Sequence, residues 1–161
     1  MRILVAVDGS KASIRAVKYV GRLLRFTSGV SVTLLHVLNP LPPVLREHGG
    51  SEDPIREEQL GRQLRKDQKY WYRKERKLEC PTLSKARRAL ESMGFRASRI
   101  HLKFGYEEDV AGTILREARK GHYGTVVVGR RDVSGIKKLL FGGITRRLLQ
   151  KASGCAVWVV E

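Results

Sequence analysis

At 161 residues the chain is long enough for one complete hydrophobic core and too short for two ordinary domains, so a single domain over 1–161 is expected. An apolar fraction of 42% beside 30% charged residues excludes the disordered class, and runs such as "ILVAV" and "CAVWVV" fall far short of the roughly 18 residues that span a bilayer. The formal net charge of +16 is spread along the chain and favours anionic partners such as nucleic acid, polyphosphates or acidic proteins.

"RILVAV" is a β-branched apolar run that ends at "DGS", the pattern of a buried parallel strand feeding a turn. Ser10 is placed to cap the helix that follows, in which Ile14, Val17, Tyr19 with Val20, and Leu24 recur at helical spacing as far as "TSG". "VSVTLLHVL" is the second strand, and the three elements make a right-handed βαβ unit. After "NPLPP", Asn39 to Ser51 reads as a surface excursion. Pro54 to Leu78 is helical, with Leu60, Leu64, Trp71 and Leu78 on one stripe. Cys80-Pro81 is expected to interrupt it, and Leu83, Ala86, Leu90 and Met93 to form a second short helix stopping at Gly94. "RIHLKFG" is the third strand. "EEDVAGTILREARKGHYG" is a helix with acids in its first turn and cations in its last, as the helix dipole favours. "TVVVG" is the fourth strand, Gly143 to Ala152 the last helix and "AVWVV" the final strand.

Strands alternating with helices to the end predict an α/β fold: a doubly wound, mainly parallel five-stranded sheet with helices on both faces. Ligands in such sheets lie beyond the carboxyl ends of the strands. Asp8, Val37 and Gly129 should therefore face one crevice, with the loop after Gly129 as its floor.

The opening "ILVAVDGSKAS", the "LLHVL" strand, "VVVGRR" and the closing "FGGITRRLLQKASGCAVWVV" together resemble the universal stress protein family over nearly the whole chain. In that family's ATP-binding members a glycine after the fourth strand is followed by two residues, a second glycine, nine residues, and a glycine with serine or threonine. Here Gly129, Arg130-Arg131, Asp132, Val133 to Phe141 and Gly142-Gly143 occupy those places. The resemblance implies a nucleotide site formed by these residues with Ile144, Thr145, Asp8 beside the nucleotide and Val37 against the adenine. It implies ATP or another adenine nucleotide as the cofactor, with Mg accompanying it.

Two of the pattern's residues differ. A phosphate held by backbone N–H groups favours glycine, whereas Asp132 carries a side chain and a charge that repels a phosphate by roughly 1 to 3 kcal/mol at about 5 Å. Gly143 lacks a hydroxyl whose hydrogen bond to a phosphate is worth about 1.5 to 3 kcal/mol; Thr145 is a candidate substitute. Against this, Gly142 and Gly143 open a helix whose N-terminus favours an anion, and Arg130, Arg131, Lys137, Lys138, Arg146 and Arg147 crowd the segment. One reading is a modified adenine-nucleotide site with weakened triphosphate affinity. The other keeps the glycines as turn and packing residues and makes the chain an interaction module for protein or nucleic-acid partners.

"RQLRKDQKYWYRKERK", Arg62 to Lys77 within the extended basic segment 54–78, carries aromatics among cations. Such a helix binds nucleic acid when the rings stack on bases, or is a solvated face when Leu64, Trp71 and Leu78 pack inward. The solvated face is the expectation. Catalysis is not expected: Ser10, Ser13 and Ser134 have no His/Asp arrangement of known spacing, no carboxylates pair, and there is no GxxxxGK[ST] loop. Cys80 and Cys155 belong to no ligand cluster and read as reduced thiols; His36, His48, His101 and His122 are equally scattered, which gives no metal site. The apolar run after Arg2 ends at Asp8, too short for a secretory h-region of about 7 to 15 residues. Cytoplasmic location and the absence of a membrane partner are the expectations. Because "AVWVV" closes at Glu161, that strand's edge is expected to pair with its own copy in a homodimer, the arrangement many universal stress proteins adopt.

Overall fold

The computed structural model describes residues 1–106, 109–130 and 143–161. β1 (Arg2–Ala6) turns into α1 (Lys11–Leu24), and β2 (Ser31–Val37) returns beside β1. A surface segment with a 3-10 turn at Pro43–Leu45 precedes α2 (Pro54–Glu91). The alternation continues through β3 (Ile100–Gly105), α3 (Val110–Lys120), β4 (Thr125–Gly129), α4 (Gly143–Lys151) and β5 (Ala156–Val160). Among the described residues these strands form one all-parallel sheet in the order β3-β2-β1-β4-β5. The order reverses direction at β1, so the carboxyl ends of β1 and β4 diverge around a crevice.

Strand residues alternate between two cores. Ile3, Val5, Leu34 and Val127 pack against Val17 and Val20 of α1 and Leu83 and Leu90 of α2. Leu4, Leu35, Val126 and Val128 pack on the opposite face, against Ile114 and Leu115 of α3 and Leu148 of α4. Burial on both faces explains why the strands read as continuous apolar runs. In α1, Tyr19 is 47% exposed and does not share the buried stripe of Val17 and Val20.

The helix expected to break at Cys80-Pro81 is continuous: α2 runs 38 residues from Pro54 to Glu91 with Pro81 inside it. Proline removes one N–H and leaves the carbonyl four residues earlier without its helical partner. Pro81 and its neighbours Lys77, Leu78 and Cys80 are exposed, so water can reach the freed group. One turn further on, Leu83, Ala86 and Leu90 are buried and fasten the helix to α1, where a Cβ at Gly21 would meet Met93 Cβ at 2.7 Å. Packing on the C-terminal side outweighs the local penalty.

Leu78 is also corrected: it is 63% exposed and faces solvent. The inward stripe passes instead through Leu64, Gln68, Trp71, Tyr72, Glu75 and Glu79, each half-buried, before reaching the buried Leu83. In α3, Asp109 is the N-cap residue and the first turn holds no acid, while Arg119 and Lys120 occupy the last turn. Glu107 and Glu108, expected in that first turn, lie outside the described residues.

Candidate functional site

A cavity of about 400 Å³ opens at the carboxyl edge of the sheet, between the ends of β1, β2 and β4 and the start of α4. Its first wall is the turn after β1. Gly9 has φ +77°, a conformation open to glycine. Asp8 Oδ1 accepts the Ser10 N–H at 3.0 Å, and Ser10 Oγ accepts the Ser13 N–H at 3.2 Å, capping α1. The Ser13 hydroxyl donates to Ser10 O at 3.0 Å. The turn is thus braced, with Asp8 and Ser13 at the cavity surface.

The second wall is the end of β2, where His36, Val37 and Asn39 reach the cavity. His36 is 8% exposed; its Nδ1 lies 2.7 Å from Val7 O and its Nε2 lies 3.1 Å from Glu79 Oε2. A carbonyl only accepts, so Nδ1 carries a hydrogen. Glu79 Oε2 also accepts from the Thr82 hydroxyl at 3.3 Å. Asn39 Nδ2 donates to Glu75 Oε1 at 2.6 Å. Two acids of α2 are therefore tied to the β2 end, and Glu79 becomes part of the cavity wall.

The third wall joins β4 to α4. A Cβ at Gly129 would lie 2.3 Å from Ala12 O and 2.7 Å from Ser13 N, so the backbone of α1 occupies the space a side chain would need. At Gly143 a Cβ would meet no described residue within 4 Å. Gly143, Ile144 and Thr145, the first three residues of α4, all line the cavity, which places a helix N-terminus with its free N–H groups against it. Apolar side chains of Val37, Val110, Ile114 and Val128 complete the lining.

Of the residues expected at the site, Asp8, Val37, Gly129, Gly143, Ile144 and Thr145 surround this one cavity. Arg130 does not line it: its guanidinium pairs with Glu161 and its N–H bonds Val160 O at 2.7 Å. Arg131, Asp132 and Gly142 lie outside the described residues. Sequence reasoning passed over Ser13, His36, Asn39 and Glu79. His36 and Asn39 were legible in principle, since they flank Val37 at a strand end. Glu79 was not, because it arrives from a helix that local signals divide just beyond it.

An all-parallel sheet of this order, with a polar and apolar cavity at its carboxyl edge and a helix N-terminus facing in, defines a ligand-crevice α/β protein. The chain belongs to the universal stress protein family, whose model matches residues 1–161. Solved structures agree in fold. A universal stress protein in complex with cAMP superimposes with TM-score 0.64 at 17% identity, covering 100% of this chain and 96% of that one. The universal stress protein from Archaeoglobus fulgidus in complex with dAMP gives 0.58 at 22% identity, with 100% and 98% covered. An Arabidopsis thaliana family protein with AMP bound gives 0.59 at 15% identity, with 99% and 90% covered. A comparison with curated proteins finds no match.

Proposed function

We propose that the protein is a non-catalytic regulatory module of the stress response that binds an adenine nucleotide in the cavity between β1, β2 and β4. The observation that carries this reading is the convergence of Asp8, Val37, Gly129, Gly143, Ile144 and Thr145 on one cavity. At about 400 Å³ the space suits a nucleotide-sized ligand, since small-molecule sites run from about 300 to 1,000 Å³. Val37, Ile114 and Val128 offer an apolar surface to a base. The start of α4 offers N–H groups to phosphate, and the carboxylates of Asp8 and Glu79 keep phosphate away from the β1 and β2 side.

Relatives whose structures hold cAMP, dAMP and AMP support the monophosphate class as the ligand. ATP is the weaker ligand in this reading, because Asp132 and Gly143 depart from the family's phosphate pattern. Among the described residues no group of three His, Cys, Asp or Glu forms a metal site; a magnesium ion would arrive with the nucleotide's phosphates. Three contacts support binding rather than catalysis. The Ser13 hydroxyl is occupied by Ser10 O, and both His36 ring nitrogens already have oxygen partners, so neither residue is poised as nucleophile or base. The functional unit in this reading is a cytoplasmic homodimer joined along β5.

Isothermal titration calorimetry of the intact chain with AMP, cAMP and ATP, with and without Mg, tests the proposal. One site per chain, with AMP at least as tight as ATP, is expected; heat from none of the three overturns it.

A further inference from the structure

We infer that the outward face of α2 is a docking surface for single-stranded nucleic acid, a function separate from the cavity. The observation is a segregation of charge. Between Arg62 and Glu79 the acids Asp67, Glu75 and Glu79 are each half-buried, and Glu75 and Glu79 are tied to the end of β2. They bond Gln63 at 2.9 Å, Asn39 at 2.6 Å and His36 at 3.1 Å respectively. The exposed charges on this stretch are of one sign: Arg76 lies over the Tyr106 ring at 4.7 Å, and Arg65, Lys66, Lys69, Arg73, Lys74 and Lys77 are exposed beside it. Among the described residues none of these six has a carboxylate within ion-pair distance; Arg62, at the start of the row, pairs with Glu58 at 3.4 Å.

A solvated helix face gains stability from interspersed opposite charges at i, i+4, and like charges at that spacing repel. This face does the reverse, with Arg65 to Lys69 to Arg73 to Lys77 in one i, i+4 row. Its cations recur every four residues, about 6 Å, over roughly 18 Å of helix, a repeat suited to the regular charges of a phosphodiester chain. Tyr70 projects from the middle of the row, 69% exposed, with Lys66, Lys69, Arg73 and Lys74 at i−4, i−1, i+3 and i+4. An exposed ring ringed by cations is the arrangement that stacks an unpaired base while its phosphates are neutralised.

Other anionic partners fit less well. A membrane-surface helix needs an apolar face to bury, and the inner face of α2 is already packed on the domain. An acidic protein partner needs buried aromatic or aliphatic anchors, and lysine is depleted in such interfaces; only Tyr70 and Leu78 are large and apolar on this stretch of the face.

The test is fluorescence anisotropy of the intact chain with a labelled single-stranded oligothymidylate and a duplex of equal length, over a range of salt. Replacing Arg65, Lys69, Arg73 and Lys77 together by Gln should weaken binding at least tenfold and flatten the slope of log affinity against log salt by about 2 to 3, with thermal stability nearly unchanged because these groups are exposed. A control replacing the exposed Lys18, Arg22, Arg119 and Lys120 by Gln should change affinity much less. Tyr70→Ala should weaken single-strand binding about fivefold or more and leave duplex binding nearly alone, and Tyr70→Phe should restore it. The inference is overturned if the wild type fails to bind oligothymidylate or if the control variant loses as much affinity as the α2 variant. It is equally overturned if polyglutamate or anionic vesicles bind the same face as tightly.

Discussion

His36 Nε2 lies 3.1 Å from Glu79 Oε2 while His36 Nδ1 lies 2.7 Å from Val7 O, so one imidazole joins the end of β1, the end of β2 and α2 at the cavity wall. With Nδ1 committed to a carbonyl, the second contact is a hydrogen bond only if a proton lies between Nε2 and the carboxylate.

Two outcomes follow for this pair. Nitrogen-15 NMR should find a hydrogen on Nδ1 of His36, donated to Val7 O; an unprotonated Nδ1 would refute the bonding scheme. His36→Leu should strand Val7 O in an apolar setting and cost about 1 to 3 kcal/mol, lowering the thermal midpoint by several degrees.

No described residue lies within 4 Å of where a Cβ at Gly143 would stand, so Gly143→Ser restores the family's hydroxyl without a clash among them. Combined with Asp132→Gly, it should tighten ATP binding at least tenfold, about 1.4 kcal/mol, measured by calorimetry. Unchanged affinity with an intact fold would remove the account given for weak triphosphate binding.

Gly129 behaves in the opposite way. Its Cβ would overlap the Ala12 carbonyl at 2.3 Å, and backbone atoms cannot rotate aside. Gly129→Ala should destabilise by about 1 to 3 kcal/mol, the range for overpacking, seen as a lower urea midpoint without any ligand. A neutral result would mean that the strand end can shift away from α1.

The edge strand β5 pairs with β4 through Ala156 N to Gly124 O at 2.9 Å and Val160 O from Arg130 N at 2.7 Å. Residues 157 and 159 consequently direct their backbone groups to the outer edge. Trp158, Val159 and Val160 remain half-exposed, an apolar open edge of the kind that recruits another strand. Light scattering should find a dimer that strengthens as salt screens the net charge. Val159→Pro, which removes an outward donor and leaves the bonds at 156 and 160, should shift it to monomer. A wild-type monomer at high concentration and moderate salt would rule this assembly out.

Much of the architecture was legible in local patterns. Runs such as "ILVAV" and "TVVVG", β-branched and apolar on both faces, mark central parallel strands because burial on both sides leaves no polar alternation. The β1 turn was equally readable, since Asp8, Gly9 and Ser10 each meet a local need: a side-chain acceptor, a positive φ and a cap. The convergence of Asp8, Val37 and Gly129 follows from topology alone, because parallel strands of one sheet bring their carboxyl ends to one edge.

What the chain's own local signals determined, then, is the order and type of the elements and the strand ends that face the cavity. The tertiary structure alone decided the rest, for reasons that are non-local. Pro81 reads as a break within its neighbourhood, yet contacts of Leu83, Ala86 and Leu90 with a distant helix keep α2 whole. That continuity carries Glu79 to His36 and turns Leu78 outward, so Glu75 and Glu79 face the sheet while Arg73, Lys74 and Lys77 face solvent. Periodicity offers several possible stripes on such a helix; which one is buried depends on the surface it meets, and that surface is built from residues far away in the chain.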